Sequence, residues 1–411
     1  MKGVVRTGHY PRAFHLVWGS ALALLVIGLV QVYSVSAALA FAQEHADPLR
    51  YLREQGRVAL AGLVLAGIVF LIDYRVWRRL IPFAMLVSFA LLVAVYVPGL
   101  GHSVKGATRS IVAGPVNIQP SELMKLALVL YAAHLLARAV GRMGLDDLWP
   151  LGLAAGVSCA LIVHQKDLGT AAVVALTMMG LLWVAGIRVR HWVLLAGTGV
   201  AAVAAAILLA PYRMQRLMAF LDSSAADPLK SGYQVRQGLL ALGRGGLFGV
   251  GAGKSVQKFS YLPEAHTDMI FAVLGEEFGL IGVGIVVGLF TLFALAAFQL
   301  ARRCTDPFGR YLVAGCAFLI YGQSLINMGG VMAALPLTGV PLPFISYGRN
   351  NLLVVMMAVG VIMSVARWGP VAEPSAGVLS GSNTFLESVN VTYLDSGRGH
   401  SGARSARAGR R

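Results

Sequence analysis

The sequence predicts an all-α polytopic membrane protein: about ten transmembrane helices, with a large extracytoplasmic loop between the seventh and eighth. Three observations predict it. Of 411 residues, 57% are hydrophobic and only 13% are charged, a balance outside the range of soluble globular domains. Charge-poor windows approaching the roughly 20 residues of a bilayer span recur along the chain. Basic residues gather in the short loops between alternate windows, as membrane topology requires. The formal net charge of +16 therefore follows from topology, and nucleic-acid binding is not indicated. Cys159, Cys304 and Cys316 have neither metal-site nor disulfide spacing.

The first span runs from about Phe14 to Ala42. Lys2, Arg6 and Arg12 precede it and place residues 1–13 in the cytoplasm. The long apolar run lacks a small-residue cleavage site, so it reads as an uncleaved span. An external loop, EHADPLRYLREQGR, leads to a second span near Val58–Ile72. DYRVWRR reads as a cytoplasmic loop before a third span, Leu80–Val97. The next external loop, PGLGHSVKGATRSIVAGPVNIQPSE, is too rich in Gly and Pro for a helix.

The fourth span begins near Ser121, with Glu122 and Lys125 in its first turns, and ends at the cytoplasmic ARAVGRMGLDD. The fifth, Trp149–Val163, meets the sixth through the short external turn HQKDLGT. Arg188 and Arg190 mark a cytoplasmic return, and Trp192–Ala210 forms the seventh span. The longest interruption is Pro211–Thr267. It opens amphipathic, as short helices at the membrane interface would, and becomes glycine-rich.

The eighth apolar run, Asp268 to about Leu300, would be roughly 45 Å long as a helix against a core of about 30 Å. It must either tilt or bend near Gly275. Tyr311–Ala334 and Asn351–Arg367 are the ninth and tenth spans, and an even number puts both termini inside. Between them, LPLTGVPLPFISYGRNN carries prolines that bar a straight helix. Irregular backbone at membrane depth needs shelter, so this segment is expected to re-enter and line a site. Residues 368–411 are Ser-, Gly- and Arg-rich, and disorder is expected there.

The segment 257–280, QKFSYLPEAHTDMIFAVLGEEFGL, concentrates the ionisable groups. Asp268 stands where a polar loop meets the apolar run, suited to a base facing water on one side and a lipid-borne substrate on the other. The competing reading is a helix N-cap, since Thr267 and Asp268 are both good caps. Around it, the external side collects Arg109, Glu122, Lys125, Lys166, Asp167, Arg213, Arg216, Glu264, His266 and Arg349. Each also has a structural reading. Glu122 and Lys125 at i,i+3 suit an ion pair as well as phosphate contact. Asp167 suits an N-cap, and Arg109 and Arg213 suit interfacial snorkelling as well as a phosphate fork. Glu264 suits a salt bridge to a loop arginine, and His266 a hydrogen-bonded loop position. Glu276 and Glu277 suit a structural network with Arg349 or Lys125. Further external cations, Lys105, Lys230, Arg236, Arg244, Lys254 and Lys258, exceed what topology explains and suit anionic headgroups or a pyrophosphate. The glycine run LGRGGLFGVGAGKS lacks the spacing and the strand–helix context of a nucleotide loop. Tight packing or a mobile loop is the better reading.

Several separated blocks resemble one family, the FtsW-like division branch of the SEDS (shape, elongation, division, sporulation) proteins. They are KGATRSIVAGPVNIQPSELMKLALVLY, QKDLGTAAVV, YRMQRLMAFLD, SGYQVRQGLLALGRGGLFGVGAG, SVQKFSYLPEAHTDMIFAV and LPLTGVPLPFISYG, and the likeness spans residues 14–367. The resemblance implies a ten-helix SEDS bundle with an external active site. It implies a peptidoglycan glycosyltransferase that polymerises lipid II with inversion at the sugar and releases undecaprenyl pyrophosphate at the division septum of the inner membrane. Asp268 of the HTD step would deprotonate the acceptor 4-hydroxyl. Arg109, Glu122, Lys125, Asp167 and Ser346 fall on the family's motif positions, and Lys166, Arg213, Arg216, Glu264, His266 and Arg349 surround them as substrate contacts.

Implied partners are a class B penicillin-binding protein, other divisome membrane proteins and membrane lipids. A divalent cation, Mg or Mn, at the pyrophosphate is compatible, with no organic cofactor. Three positions depart from the family's pattern: Lys166 stands for a proline, Ser110 for an aromatic, and Arg349-Asn350-Asn351 for small residues. A lipid II flippase, or a non-catalytic divisome scaffold, is the alternative.

Overall fold

The computed structural model describes residues 12–42, 47–104, 107–113, 116–139, 144–221, 231–259 and 261–370. The segment before residue 12 and the tail after 370, with the disorder expected of it, lie outside them. Twelve helices are described: α1 (Arg12–Ala42), α2 (Arg50–Leu71), α3 (Tyr74–Ala94), α4 (Pro120–Arg138), α5 (Leu145–His164), α6 (Leu168–Val184), α7 (Val189–Leu208), α8 (Pro211–Leu221), α9 (Ser231–Gly245), α10 (Ile270–Arg303), α11 (Pro307–Val331) and α12 (Arg349–Trp368). Among the described residues nine are long and apolar enough to cross a membrane, and α6 is a shorter apolar helix. With α6 they make the ten expected spans. The helices α8 and α9 lie in the long interruption.

The packing is built around α11, which is buried along most of its length and touches α4, α6, α10 and α12. α12 lies along α2, and α1 along α10. Small residues set the closest approach. A Cβ at Gly360 would sit 2.7 Å from the Ala66 carbonyl oxygen, so glycine there brings the α12 and α2 backbones together. α7 has no buried residue, which suits a helix whose surroundings are lipid.

Two segments expected as loops are helical. RYLREQGR forms the first turns of α2, which starts at Arg50 rather than near Val58. Its charges mask it in a hydropathy window, yet Gln55 is buried and Tyr51 and Glu54 are half-buried against the protein. YRVWRR opens α3, because the Asp73 carboxylate accepts from the Arg75 N–H at 2.9 Å and caps the helix. The Gly/Pro-rich loop between α3 and α4 holds an antiparallel sheet of β1 (Gly101–Val104), β2 (Ala107–Ala113) and β3 (Val116–Ile118), in the order β1-β2-β3. Lys105-Gly106 and Gly114-Pro115 lie outside the described residues.

The overlong α10 bends, at Gly279 rather than Gly275, where φ is 65° and ψ −163°. A break there strips the ladder of partners, and the glycine-rich loop supplies them. Val250 and Gly251 N–H donate to the carbonyls of Glu276 and Glu277 at 2.9 and 3.0 Å. Leu280 and Ile281 N–H donate to the carbonyls of Gly246 and Leu247 at 2.9 and 3.2 Å. The loop thus packs tightly as a backbone splint across the broken helix, satisfying groups that hydrocarbon could not.

The acids beside the break have partners other than those expected. Glu276 accepts from Ser255 Oγ and from the N–H groups of Val256 (3.1 Å) and Gln257 (3.3 Å). Glu277 pairs with Lys258 at 2.7 Å and accepts from Ser34 at 2.6 Å. A structural network is right, but Arg349 and Lys125 are not in it. Lys258, counted above among the external cations, is buried here. Desolvation selects this partner, since a buried carboxylate needs a cation inside the same dry volume.

Candidate active site

The candidate site is built where the turn before α10 meets the segment between α11 and α12. The turn 264–269 is closed by Glu264, whose carbonyl accepts from the N–H groups of Thr267 (3.1 Å) and Met269 (3.2 Å). Its carboxylate accepts from Thr267 Oγ1 at 3.0 Å. Glu264 takes φ 56°, a conformation that costs a non-glycine residue on the order of 1 kcal/mol or more. α10 then begins at Ile270, with Met269 at the N-cap position and no side-chain cap. The N-cap position thus falls on Met269, one residue after Asp268.

The re-entering segment, residues 332–348, grips this turn. Ser346 Oγ donates to the Thr267 carbonyl at 2.7 Å, and Tyr347 N–H to the His266 carbonyl at 2.9 Å. Asn327 of α11 holds the same junction from below, its amide donating to the carbonyls of Asp268 (2.8 Å) and Val340 (2.7 Å). A Cβ at Gly339 would lie 3.3 Å from Asp268 Oδ2. The carboxylate therefore lies directly against the re-entering backbone, half-buried.

The N-terminal end of α2 braces the segment. Gln55 Nε2 donates to the Ser346 carbonyl at 3.1 Å, and the Tyr347 hydroxyl donates to Glu54. Burial first, and the Glu54 bond second, push the Tyr347 hydroxyl well above the ordinary phenol value, so it stays protonated and keeps donating. Tyr51, His266 and Tyr347 pack ring to ring at 5.1–5.8 Å. His266 is thus an aromatic packing element of the turn as well as a site candidate.

Beneath the segment lies a buried polar stack. Glu122 and Lys125 form an ion pair at 2.8 Å with side chains only 3% and 1% exposed. Lys125 Nζ also donates to Gln323 at 2.8 Å, and Gln323 donates to the Pro341 carbonyl at 2.8 Å. Asn351 donates to Glu122 at 3.0 Å. The pair shields itself from solvent, so its first role here is to support the re-entering backbone. Gln323 and Asn327, one helical turn apart on α11, couple this stack to Asp268. Both were missed in the sequence, although polar side chains inside an apolar span were the available signal.

A second group gathers at the C-terminal end of α5. Arg109 on β2 donates to the carbonyls of Gln165 (3.3 Å) and Lys166, and Arg213 to those of Val163 (2.6 Å) and Ala206 (2.8 Å). Two guanidinium groups thus sit on carbonyls at the C-terminal end of α5 and, for Ala206, of α7, where the helix dipoles favour positive charge. Asp167 is the N-cap of α6, accepting from Thr170 N–H at 3.1 Å. Lys166 takes φ 62°, closed to the proline of the family pattern. This group reaches the first through the re-entering backbone, since a Cβ at Gly169 would meet the Thr338 carbonyl at 2.7 Å.

Arg349 is exposed in the first turn of α12. Arg216 lies in α8, its side chain outside the described residues, as are Lys105 and Lys230. Among the described residues no group of three or more His, Cys, Asp or Glu is placed to hold a metal ion.

The chain as a whole is similar to known proteins. Residues 14–369 match the family model described as cell cycle protein, FtsW/RodA/SpoVE. A protein of Nitrosococcus halophilus named probable peptidoglycan glycosyltransferase FtsW is 41% identical over 363 residues, 87% of this chain and 93% of its own. Stage V sporulation protein E of Bacillus subtilis is 38% identical over 350 residues, covering 84% and 95%. Among solved structures, a chain from a study titled "Structural coordination of polymerization and crosslinking by a peptidoglycan synthase complex" aligns with TM-score 0.71 and 28% identity, covering 87% of this chain and 98% of that one. The rod shape determining protein RodA of Thermus thermophilus aligns with TM-score 0.63 and 29% identity over 87% and 97%.

Proposed function

The chain belongs to the FtsW/RodA/SpoVE family of cell cycle proteins and is a multi-pass membrane peptidoglycan glycosyltransferase; on that premise we propose that it polymerises lipid II with Asp268 as the general base. The observation that carries this is the carboxylate's setting. Asp268 stands immediately before Met269, the N-cap residue of α10, and against the backbone of Gly339. It is fixed through its own and its neighbours' backbone by Ser346, Tyr347 and Asn327. Holding the backbone fixes the point from which the carboxylate reaches, which is the first requirement for positioning a base.

In the proposed reaction, Asp268 takes the proton of the acceptor 4-hydroxyl as that oxygen attacks the donor's anomeric carbon from the face opposite the leaving group. The configuration inverts, and undecaprenyl pyrophosphate departs with the anomeric oxygen. Arg109, Lys166 and Arg213 at the α5–α6 junction, with Arg349, stand closest in chemistry to what a developing diphosphate charge needs. Glu264 and Ser346 shape the turn, and Glu122, Lys125 and Asp167 hold its floor. The same reading puts the site on the extracytoplasmic side, both termini in the cytoplasm and the protein at the division septum. The synthase-complex neighbour supports a class B penicillin-binding protein as partner.

The test uses the purified protein with its penicillin-binding partner, labelled lipid II, and the Asp268→Asn variant. Polymer from wild type and none from the variant is the expected result. Equal polymer from both overturns the assignment. Headgroup translocation across liposomes without polymer would make the protein a flippase, and neither activity would leave a scaffold.

A further inference from the structure

A recess of 690 Å³ opens between α3, α4 and α5, on the side of the bundle away from Asp268's turn. Its walls are apolar, including Met85, Phe89, Leu135, Leu153 and Val157, and Arg78, His134 and Arg138 line it as well. We propose that it binds one anionic phospholipid of the cytoplasmic leaflet, phosphate on the two arginines and acyl chain against α4.

Depth argues for a lipid. Arg78 lies in the second turn of α3 and Arg138 is the last residue of α4, so the two mark the same end of the bundle. From Arg78 to Phe89 the helix rises about 16 Å, close to half of the roughly 30 Å hydrocarbon core. The recess therefore spans one leaflet. Its volume is in the range of ligand pockets, about 300–1,000 Å³, and its walls suit a hydrocarbon chain rather than a polar metabolite.

Charge argues for an anionic headgroup. Arg78 and Arg138 are exposed, and among the described residues neither pairs with a carboxylate. Arg78 Nε–H donates to His134 Nδ1 at 3.0 Å. An imidazole nitrogen that accepts from a guanidinium carries no proton, so His134 is neutral and Arg78 keeps its charge, oriented by one bond with further N–H groups left for a phosphate. Trp149, 64% exposed on the recess, adds the aromatic that favours the headgroup level. That the leaflet is the cytoplasmic one rests on the orientation proposed above; the fit to a lipid does not.

The test is native mass spectrometry of the delipidated full chain titrated with phosphatidylglycerol or phosphatidylethanolamine, no lipid II present. One phosphatidylglycerol is expected to bind more tightly than phosphatidylethanolamine. Arg78→Gln/Arg138→Gln should weaken it about tenfold or more and erase the headgroup preference. Arg302→Gln/Arg303→Gln, removing two arginines at the end of α10, should not. Ala154→Trp fills the recess with both arginines intact and should also abolish the bound copy. Equal binding of the two lipids, or unchanged binding in the Arg78/Arg138 or Ala154 variants, overturns the proposal. Because polymerisation is not read, either result leaves the assignment of Asp268 to its own test.

Discussion

The Ser346 hydroxyl donates to the Thr267 carbonyl at 2.7 Å and accepts from the Leu342 N–H at 2.7 Å. One buried oxygen thus ties the segment between α11 and α12 to the residue before Asp268. Ser346→Ala removes both bonds and leaves a buried N–H without a partner, at a cost of about 1–3 kcal/mol. Activity should fall about tenfold or more, with kcat affected more than KM, because the base is misplaced rather than lost. Steady-state polymerisation kinetics read the split. A change confined to KM would make Ser346 a substrate contact instead.

Asp268→Asn should behave differently. Met269 holds the N-cap position of α10 and Asn327 holds Asp268 by its backbone carbonyl, so the thermal midpoint should move little, while polymerisation drops at least about a hundredfold with the base removed. A fall in stability of about 1 kcal/mol, the usual cost of a lost cap, measured by unfolding in detergent, would give Asp268 a capping role.

The contrast between these residues shows what was legible in the sequence. Spans are read from long apolar windows, so the bundle was visible, as was a sheltered backbone wherever prolines interrupt such a window. Asp268 stood out because an acid beside an apolar run needs a reason. The first turns of α2 were not legible. RYLREQGR is charged enough to pass for a loop, and its buried side is set by contacts with Ser346 and Tyr347, nearly three hundred positions away. Lys258 was misjudged for the same reason: its pairing with Glu277 depends on how the glycine-rich loop folds back onto the broken helix. Asn351, read as a departure from a family pattern, donates a hydrogen bond to Glu122, a compensation visible only once α4 and α12 are side by side.

The pair of Glu122 and Lys125 offers a direct test of support against substrate contact. Lys125→Ala strands a carboxylate in a site where both side chains are almost wholly buried, which costs about 3–5 kcal/mol. Glu122→Gln/Lys125→Met removes both charges at similar volume and should recover much of that loss. Thermal unfolding of the single and double variants measures the coupling. If Lys125→Ala kept the wild-type midpoint and lost only activity, phosphate contact would be its main role.

Gly279 carries the sharpest structural prediction. Its φ of 65° lies where a side chain is strained, and a Cβ there would collide with Gly249 N and the Leu247 carbonyl. Gly279→Ala must either push the glycine-rich loop off the break or straighten the helix, and each exposes the backbone groups the loop now pairs. Four ladder bonds are at stake, in surroundings where an unsatisfied group costs several kcal/mol. The variant should fail to accumulate, or unfold at markedly lower temperature. Gly284→Ala, on the same helix with nothing within 4 Å of the added carbon, should match wild type or gain slightly from alanine's helix propensity. Fluorescence-detected size exclusion and thermal unfolding of the two variants side by side decide it: equal behaviour would mean that the break at Gly279 is not a fixed feature of the fold.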